Sequence, residues 1–201
     1  MLCVVYRLGC EASNGVGRAG PLNAGRRGGP IPYAAGVDPV LELALAVKAL
    51  QRALEQGANE AMRPLGLTAA QADALTVLRQ AGPISLKDLG ELLIAEGGHP
   101  SRLVDRLVEA RLVERKAAAD DRRRIVLSLT PEGRKLERRA DKLREAQLDL
   151  FRQLLAGRDL SSELELVMDL LKYTPFADLL ARRRALLRGS AASGPRKASG
   201  R

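Results

Sequence analysis

The segment Asp120–Gly133 constrains the fold more than any other part of the chain, because an exposed turn, a strand and a helix start follow one another within it. Its first residues are charged, and none of them would be buried: Asp120, Asp121, Arg122, Arg123 and Arg124. The apolar residues that follow alternate as in a strand half buried against helices, with Ile125, Leu127 and Leu129 on the inner face. The segment therefore predicts half of an antiparallel hairpin.

A helix is predicted directly after this strand. Thr130 suits the cap position, Pro131 suits the first helical position, and Glu132 places a negative charge at the positive end of the helix dipole. Leu112–Lys116 can supply the partner strand. Acids beside arginines at the tip suit a hairpin in which a carboxylate holds one guanidinium in a bidentate pair and points it outward. A basic wing joined to a helix is typical of DNA-binding proteins.

Two short helices are predicted before the hairpin. Ser85 with Asp88 resembles a capping box and predicts a helix over 85–94, followed by a turn at 96–98. Pro100 then begins a second helix. Its inner face contains Leu103, Val104, Leu107 and Val108, and its outer face contains Ser101, Arg102, Asp105, Arg106 and Glu109.

The outer face of this second helix has two interpretations. In a helix-turn-helix it enters the major groove, which places Ser101 and Arg102 against base edges and Arg106 near a base or a phosphate. The alternative is a solvated face with intrahelical pairs, Arg102 with Asp105 or Arg106 with Glu109. The basic wing directly downstream favours DNA binding.

The part of the chain from Val40 to Leu187 resembles the multiple-antibiotic-resistance regulator (MarR) family of dimeric winged helix-turn-helix proteins. The family's wing pattern, Asp-x-Arg, then Leu, x, Leu-Thr and Gly, falls on Asp121, Arg123, Leu127, Leu129, Thr130 and Gly133. The resemblance implies that Asp121 orients Arg123 for the minor groove. Where the family usually has a glycine before the first wing strand, this chain has Arg111, so we expect this helix end to be built differently.

The rest of the folded part is predicted to be helical, which gives a mainly α fold with a small β-wing. We expect helices over 38–62, 68–80, 131–155 and 161–172, and one more after Pro175. The MarR-type domain then covers 38–188, with the winged-helix core at 68–130 and dimerisation helices at 38–62 and 131–187. Long apolar helices on both flanks of so small a core require another surface, and a second copy is the simplest one. An elaborated monomer is the alternative.

Positive charge supports nucleic-acid binding through its distribution more than through its total. The net charge of +9 is inflated by basic tails, whereas within the body the bases concentrate over 99–144. This favours phosphate contacts by Lys116, Arg122 and Arg124, with Arg134 or Lys135 as further candidates.

The two ends of the chain are predicted to be unstructured, at 1–37 and 189–201. Leu2–Leu8 is too short for a signal peptide or a membrane span, and we expect a cytoplasmic protein. A further hypothesis is a misassigned start, with translation beginning near Val37. Cys3 and Cys10 are expected to be reduced and idle.

Other chemistry is scarce in the sequence. Gly15, Gly17 and Gly20 match a dinucleotide pattern, but the prolines and glycines after them prevent the helix that such a site needs. His99 has no companion ligands and is expected at the helix entry or on a phosphate. We therefore expect no enzyme, no cofactor and no metal.

The sequence predicts a homodimeric regulator that binds a palindromic operator in double-stranded DNA. The resemblance implies a repressor relieved by a small-molecule effector. A dimeric interaction protein without sequence-specific DNA binding is the alternative. A winged-helix RNA binder is a third interpretation, and the scarcity of aromatic residues for base stacking speaks against it.

Overall fold

The computed structural model describes residues 36–94, 99–118, 121 and 123–192. Most of both predicted tails, with Cys3, Cys10 and the glycine pattern, lies outside this range, as do the turn at 96–98 and Arg122. The described helices are α1 (Pro39–Met62), α2 (Ala69–Ala81), α3 (Leu86–Gly90), α4 (Pro100–Glu109), α5 (Pro131–Leu154), α6 (Ser161–Leu171) and α7 (Phe176–Ala192). A 3-10 turn, Arg63–Leu65, follows α1. None of the described helices is long and apolar enough to cross a membrane.

The predicted helix starts are confirmed by their caps. The Asp38 carboxylate accepts a hydrogen bond from the Val40 N–H at 2.8 Å, and α1 begins there. Thr68 and Gln71 form a complete capping box at the start of α2. Gly66, with a φ of 68°, reverses the chain between these helices, a conformation that glycine adopts without steric cost.

Helix α3 is shorter than the sequence predicts. The capping box of Ser85 and Asp88 is present, but the helix ends at Gly90 rather than near residue 94. Leu92 and Leu93 are buried all the same, because the turn after α3 carries them into the core. A Cβ on Gly90 would lie 3.2 Å from Pro100 Cγ, so a glycine here lets the start of α4 approach closely.

The hairpin consists of β1 (Val113–Ala117) and β2 (Ile125–Leu129), paired antiparallel with Val113 opposite Leu129. Ile84 adds a single bridge to Leu127, which the sequence does not predict. Leu127 and Leu129 are buried as expected, but Ile125, on the same predicted face, is 52% exposed because it lies next to the tip, beyond the core. Val126, predicted on the outer face, is buried.

The hydrophobic core lies between α2, α3, α4 and the hairpin. Its fully buried large side chains include Leu75, Leu89, Leu107 and Leu127. In contrast, α1 and α6 expose many apolar side chains in this single chain. Those on α1 are Val40, Leu41, Leu43, Leu45, Val47, Leu50 and Leu54, and those on α6 are Leu164, Leu166, Val167 and Leu170.

Candidate nucleic-acid interface

Helix α4 has the two faces that the sequence predicts. Leu103, Val104 and Leu107 are buried in the core. Five polar side chains are exposed on the outer face: Ser101, Arg102, Asp105, Arg106 and Glu109. Pro100 occupies the start of the helix, and the His99 carbonyl accepts hydrogen bonds from the Arg102 and Leu103 N–H groups. His99 thus lies at the helix entry through its backbone, and its side chain makes no capping bond.

The intrahelical ion pairs of the alternative interpretation are not formed. Asp105 pairs instead with Arg115 of β1, with 2.6 Å between Oδ1 and the guanidinium nitrogen. Among the described residues, the guanidinium groups of Arg102 and Arg106 have no hydrogen-bond or ion-pair partner. Two exposed cations one helical turn apart are therefore available to an external anion.

Arg115 is a residue that the sequence patterns do not single out. Its partner Asp105 is ten positions away along the chain, and only the packing of β1 against α4 brings the two together. The pair joins the outer face of α4 to the first strand of the wing. Opposite charges on two neighbouring predicted elements are the only signal of this contact in the sequence.

The end of α4 is built in the usual way, although the residue there is unusual. Arg111 has a φ of 57°, the only positive φ of a non-glycine residue among the described residues. Its N–H bonds to the Val108 carbonyl at 2.9 Å, and the Leu112 N–H bonds to the Leu107 carbonyl at 2.9 Å. These two bonds form a Schellman motif, which glycine normally completes. The expectation of a different helix end is wrong: the arginine adopts the left-handed conformation.

Helix α4, the wing and helix α5 meet at Thr130. Its hydroxyl donates a hydrogen bond to the Arg111 carbonyl at 2.7 Å and accepts one from the Gly133 N–H at 2.9 Å. Its own N–H bonds to the Leu112 carbonyl at 3.1 Å. A Cβ at Gly133 would lie 1.9 Å from that Leu112 oxygen, so only glycine fits there. This explains the threonine and the glycine of the wing pattern in physical terms.

The wing tip is shaped by the Asp121 carboxylate. Oδ1 accepts a hydrogen bond from the Arg123 backbone N–H at 2.9 Å, and the Asp121 carbonyl accepts one from the Arg124 N–H at 3.0 Å. The bidentate pair between this carboxylate and the Arg123 guanidinium is not formed. Asp121 therefore acts on Arg123 through the backbone, since a short Asp side chain readily bonds the N–H two residues on. The Arg123 side chain is exposed and has no partner among the described residues.

The candidate phosphate contacts differ in their surroundings. Lys116 Nζ lies 2.6 Å from Glu114 Oε1, and this hydrogen bond is the main reason why the pKa of Glu114 is lowered. Arg134 donates to the Leu129 carbonyl at 2.6 Å, whereas Lys135 is exposed without a partner in the described part. Arg124 is exposed at the tip. The described residues contain no group of three or more His, Cys, Asp or Glu side chains that could hold a metal.

Comparison with known proteins gives consistent matches. A protein-family model described as "Winged helix DNA-binding domain" matches residues 67–133. YwoH of Bacillus subtilis, an uncharacterized HTH-type transcriptional regulator, is 31% identical over 105 residues, which are 52% of this chain and 74% of YwoH. The multiple antibiotic resistance protein MarR of Escherichia coli is 37% identical over 75 residues, 37% of this chain and 52% of MarR.

The fold also resembles a solved structure. The crystal structure of a mutant MarR from Escherichia coli complexed with operator DNA superimposes with a TM-score of 0.54 at 28% identity. The match covers 66% of this chain and 93% of that chain. The similarity to this structure therefore reaches well beyond the segment that the winged-helix model matches.

Proposed function

The chain belongs to the MarR family of winged-helix DNA-binding transcription regulators, and we propose that it acts as a homodimeric repressor of a palindromic operator. The observation that carries the proposal is the set of arginines on α4 and at the wing tip. Arg102, Arg106 and Arg123 are exposed and have no acidic partner among the described residues. The elements that bear them are joined at Thr130.

In the proposed complex, α4 lies in the major groove. Residues at the N-terminal end of a recognition helix lie nearest the bases, which assigns Ser101 and Arg102 to base edges. Arg106, one turn further, contacts a base or a phosphate. An unpaired guanidinium suits guanine, because two parallel donors match its O6 and N7 acceptors.

The wing is proposed to contact the adjacent minor groove. Arg123 is inserted there, and Asp121 holds the backbone of the tip in the shape that presents it. Lys116, Arg122 and Arg124 are the proposed phosphate contacts. Lys116 would have to exchange its Glu114 partner for a phosphate, so its net contribution is expected to be smaller. The similar MarR structure is a complex with operator DNA, which supports duplex DNA as the partner here.

The exposed apolar faces of α1 and α6 support a homodimer. A two-fold dimer would place two copies of α4 on half-sites about one helical turn of DNA apart, so the symmetry of the operator would match the symmetry of the protein. Relief of repression by a small effector, and a cytoplasmic location, are parts of the proposal that follow from the family. No catalytic activity is proposed.

The test is selection of bound fragments from sheared genomic DNA by the full chain, followed by affinity measurements against salt and random duplex. A palindromic site bound at least about a thousandfold tighter than random DNA is the expected result. Weak, sequence-blind binding that is lost by about 0.2 M salt would contradict the proposal and favour an interaction protein. Competition between duplex DNA and single-stranded RNA tests the RNA-binding alternative.

Arg123→Ala is expected to weaken operator binding by about 1 to 3 kcal/mol, because it removes a groove contact. The oligomeric state should stay unchanged. Arg158→Ala is the matched control, since Arg158 is exposed in the loop between α5 and α6 and should leave the affinity as it is. An unchanged affinity of the Arg123 variant would exclude the wing from the mechanism.

A further inference from the structure

Helix α7 makes two ion pairs with the winged-helix core, one at the end of α3 and one in α2. The Arg182 guanidinium pairs with the Glu91 carboxylate, directly after α3. The neighbouring Arg183 pairs with Asp73 in α2. Both contacts join residues that are far apart in the sequence, and no sequence pattern singles out either position.

The two pairs differ in burial. Only 11% of the Arg183 side chain is exposed, against 55% for Arg182. A buried ion pair adds little net stability, because both charges are desolvated, but loss of one partner leaves an uncompensated charge. Loss of either partner of the Arg183 pair would therefore disturb the packing of α7 against α2. The exposed Arg182 pair adds a second, weaker link between α7 and the end of α3.

A second set of polar contacts holds α2 from the side of α5. Arg79 pairs with the buried Glu137 at 2.6 Å, and Arg144 donates to the Thr76 hydroxyl at 2.7 Å. Helix α2 is thus fixed by charged and polar groups from α5 and α7. In α7 itself, Leu186 packs against the core, while Leu187 and Phe176 are about half exposed.

From these contacts we infer that Arg182 and Arg183 are positioning residues: they set the orientation of the winged-helix core relative to the dimerisation helices. In the homodimer that orientation determines the separation of the two α4 helices, and hence the half-site spacing that the protein prefers. The inference rests on the proposed function. It adds the structural element, α7, through which the dimer determines the spacing of its operator.

The experiment measures binding of the full chain to a library in which the best half-site is repeated at variable spacing. Arg182→Glu places two acids side by side, and it is expected to lower the affinity ratio between the preferred spacing and its neighbours by about fivefold. The double variant Glu91→Arg with Arg182→Glu reverses the pair and should restore the ratio. Arg184→Glu is the matched control, because Arg184 is exposed on α7 without a partner in the described residues.

A second measurement works without DNA. Spin labels on Arg52→Cys in α1 and Glu109→Cys in α4, in a chain with Cys3 and Cys10 replaced by Ser, report the distance between the two helices. The labelled chain is diluted with unlabelled chain so that each dimer contains one labelled copy. Arg182→Glu should broaden the distance distribution, and the reversed pair should narrow it again.

The two measurements separate the failure of the inference from the failure of the proposed function. If the wild-type chain shows no sequence-specific binding, the proposed function is contradicted. The distances between the spin labels still test the positioning role, because they are measured without DNA. An unchanged distance distribution in Arg182→Glu overturns the inference. Failure of the reversed pair to restore the wild-type behaviour, or an equal effect of Arg184→Glu, overturns it as well.

Discussion

Arg111 occupies a backbone conformation that costs an L-residue about 1 to 2 kcal/mol. Glycine adopts it freely, although glycine also loses more conformational entropy on folding. We therefore expect Arg111→Gly to raise the free energy of unfolding by about 1 kcal/mol, measured by urea denaturation.

The control for this prediction is Arg111→Lys, which keeps a side chain in the same conformation and should give no gain. A lower stability of the glycine variant would mean that contacts of the arginine side chain outweigh the strain. Operator affinity measured in parallel shows whether the Arg111 side chain contributes to DNA binding.

The buried and exposed side chains of α4 could be predicted from the sequence, because helix periodicity places its apolar residues on one face. The conformation of Arg111 could not, since it depends on where the wing strand must start. Likewise, the resemblance implies that Asp121 orients Arg123, and the charges at the tip predict an ion pair, where the structure has a backbone hydrogen bond. Local spacing places two groups close together without determining which of their atoms meet.

A helix boundary is predicted well where neighbouring residues in the sequence determine it. Capping residues predict the starts of α3 and α5, because a side chain that bonds the first free N–H groups needs only its neighbours. The end of α3 at Gly90 is missed, because the apolar stripe continues through Leu92 and Leu93, which are buried although they lie beyond the helix. An apolar pattern predicts burial, and it does not distinguish a helix from a buried turn that follows it.

The burial of Asp73 between α2 and α7 predicts that the stability of the folded protein depends on pH. Burial raises the pKa of Asp73, although the nearby Arg183 and Arg144 favour its carboxylate form. Asp73 therefore binds its proton more tightly in the folded protein than in the unfolded chain. Its contribution to stability is fully present below the unfolded pKa of about 3.9 and is lost as the pH rises through the raised value.

We accordingly expect the free energy of unfolding of the wild type, taken relative to that of Asp73→Asn, to decrease as the pH rises above about 4. Urea denaturation of both proteins at several pH values measures this difference. A difference that increases with pH would show that attraction by Arg183 outweighs the desolvation of Asp73. Asp169→Asn, at an exposed ion pair on α6, is the control.

At the scale of the whole molecule, the exposed apolar faces require an explanation. Leu164 and Val167 on α6 are each about half exposed, in a chain whose core is otherwise well covered. Replacing both by Glu should dissociate the proposed dimer, because charge cannot be buried in an apolar interface without a partner. Light scattering after size exclusion is expected to give the monomer mass, with operator affinity reduced at least about a hundredfold.

Glu165→Gln is the control for the dimer prediction, since it changes a polar residue of the same helix. A double variant that remains dimeric would show that α6 does not form the dimer interface. A wild-type chain that runs as a monomer would instead favour the elaborated monomer.

In the proposed complex, the hydrogen bonds at Thr130 have a consequence for which DNA the protein would select. One hydroxyl joins the end of α4 to the start of α5, and Gly133 lies directly on Leu112, so α4 and the base of the wing are held at a fixed distance. A rigid pair of contacts in adjacent grooves matches only a duplex whose minor groove has the corresponding width. Base pairs that no side chain contacts would then affect affinity by setting that width, so operators could be distinguished by the shape of the DNA between the contacts.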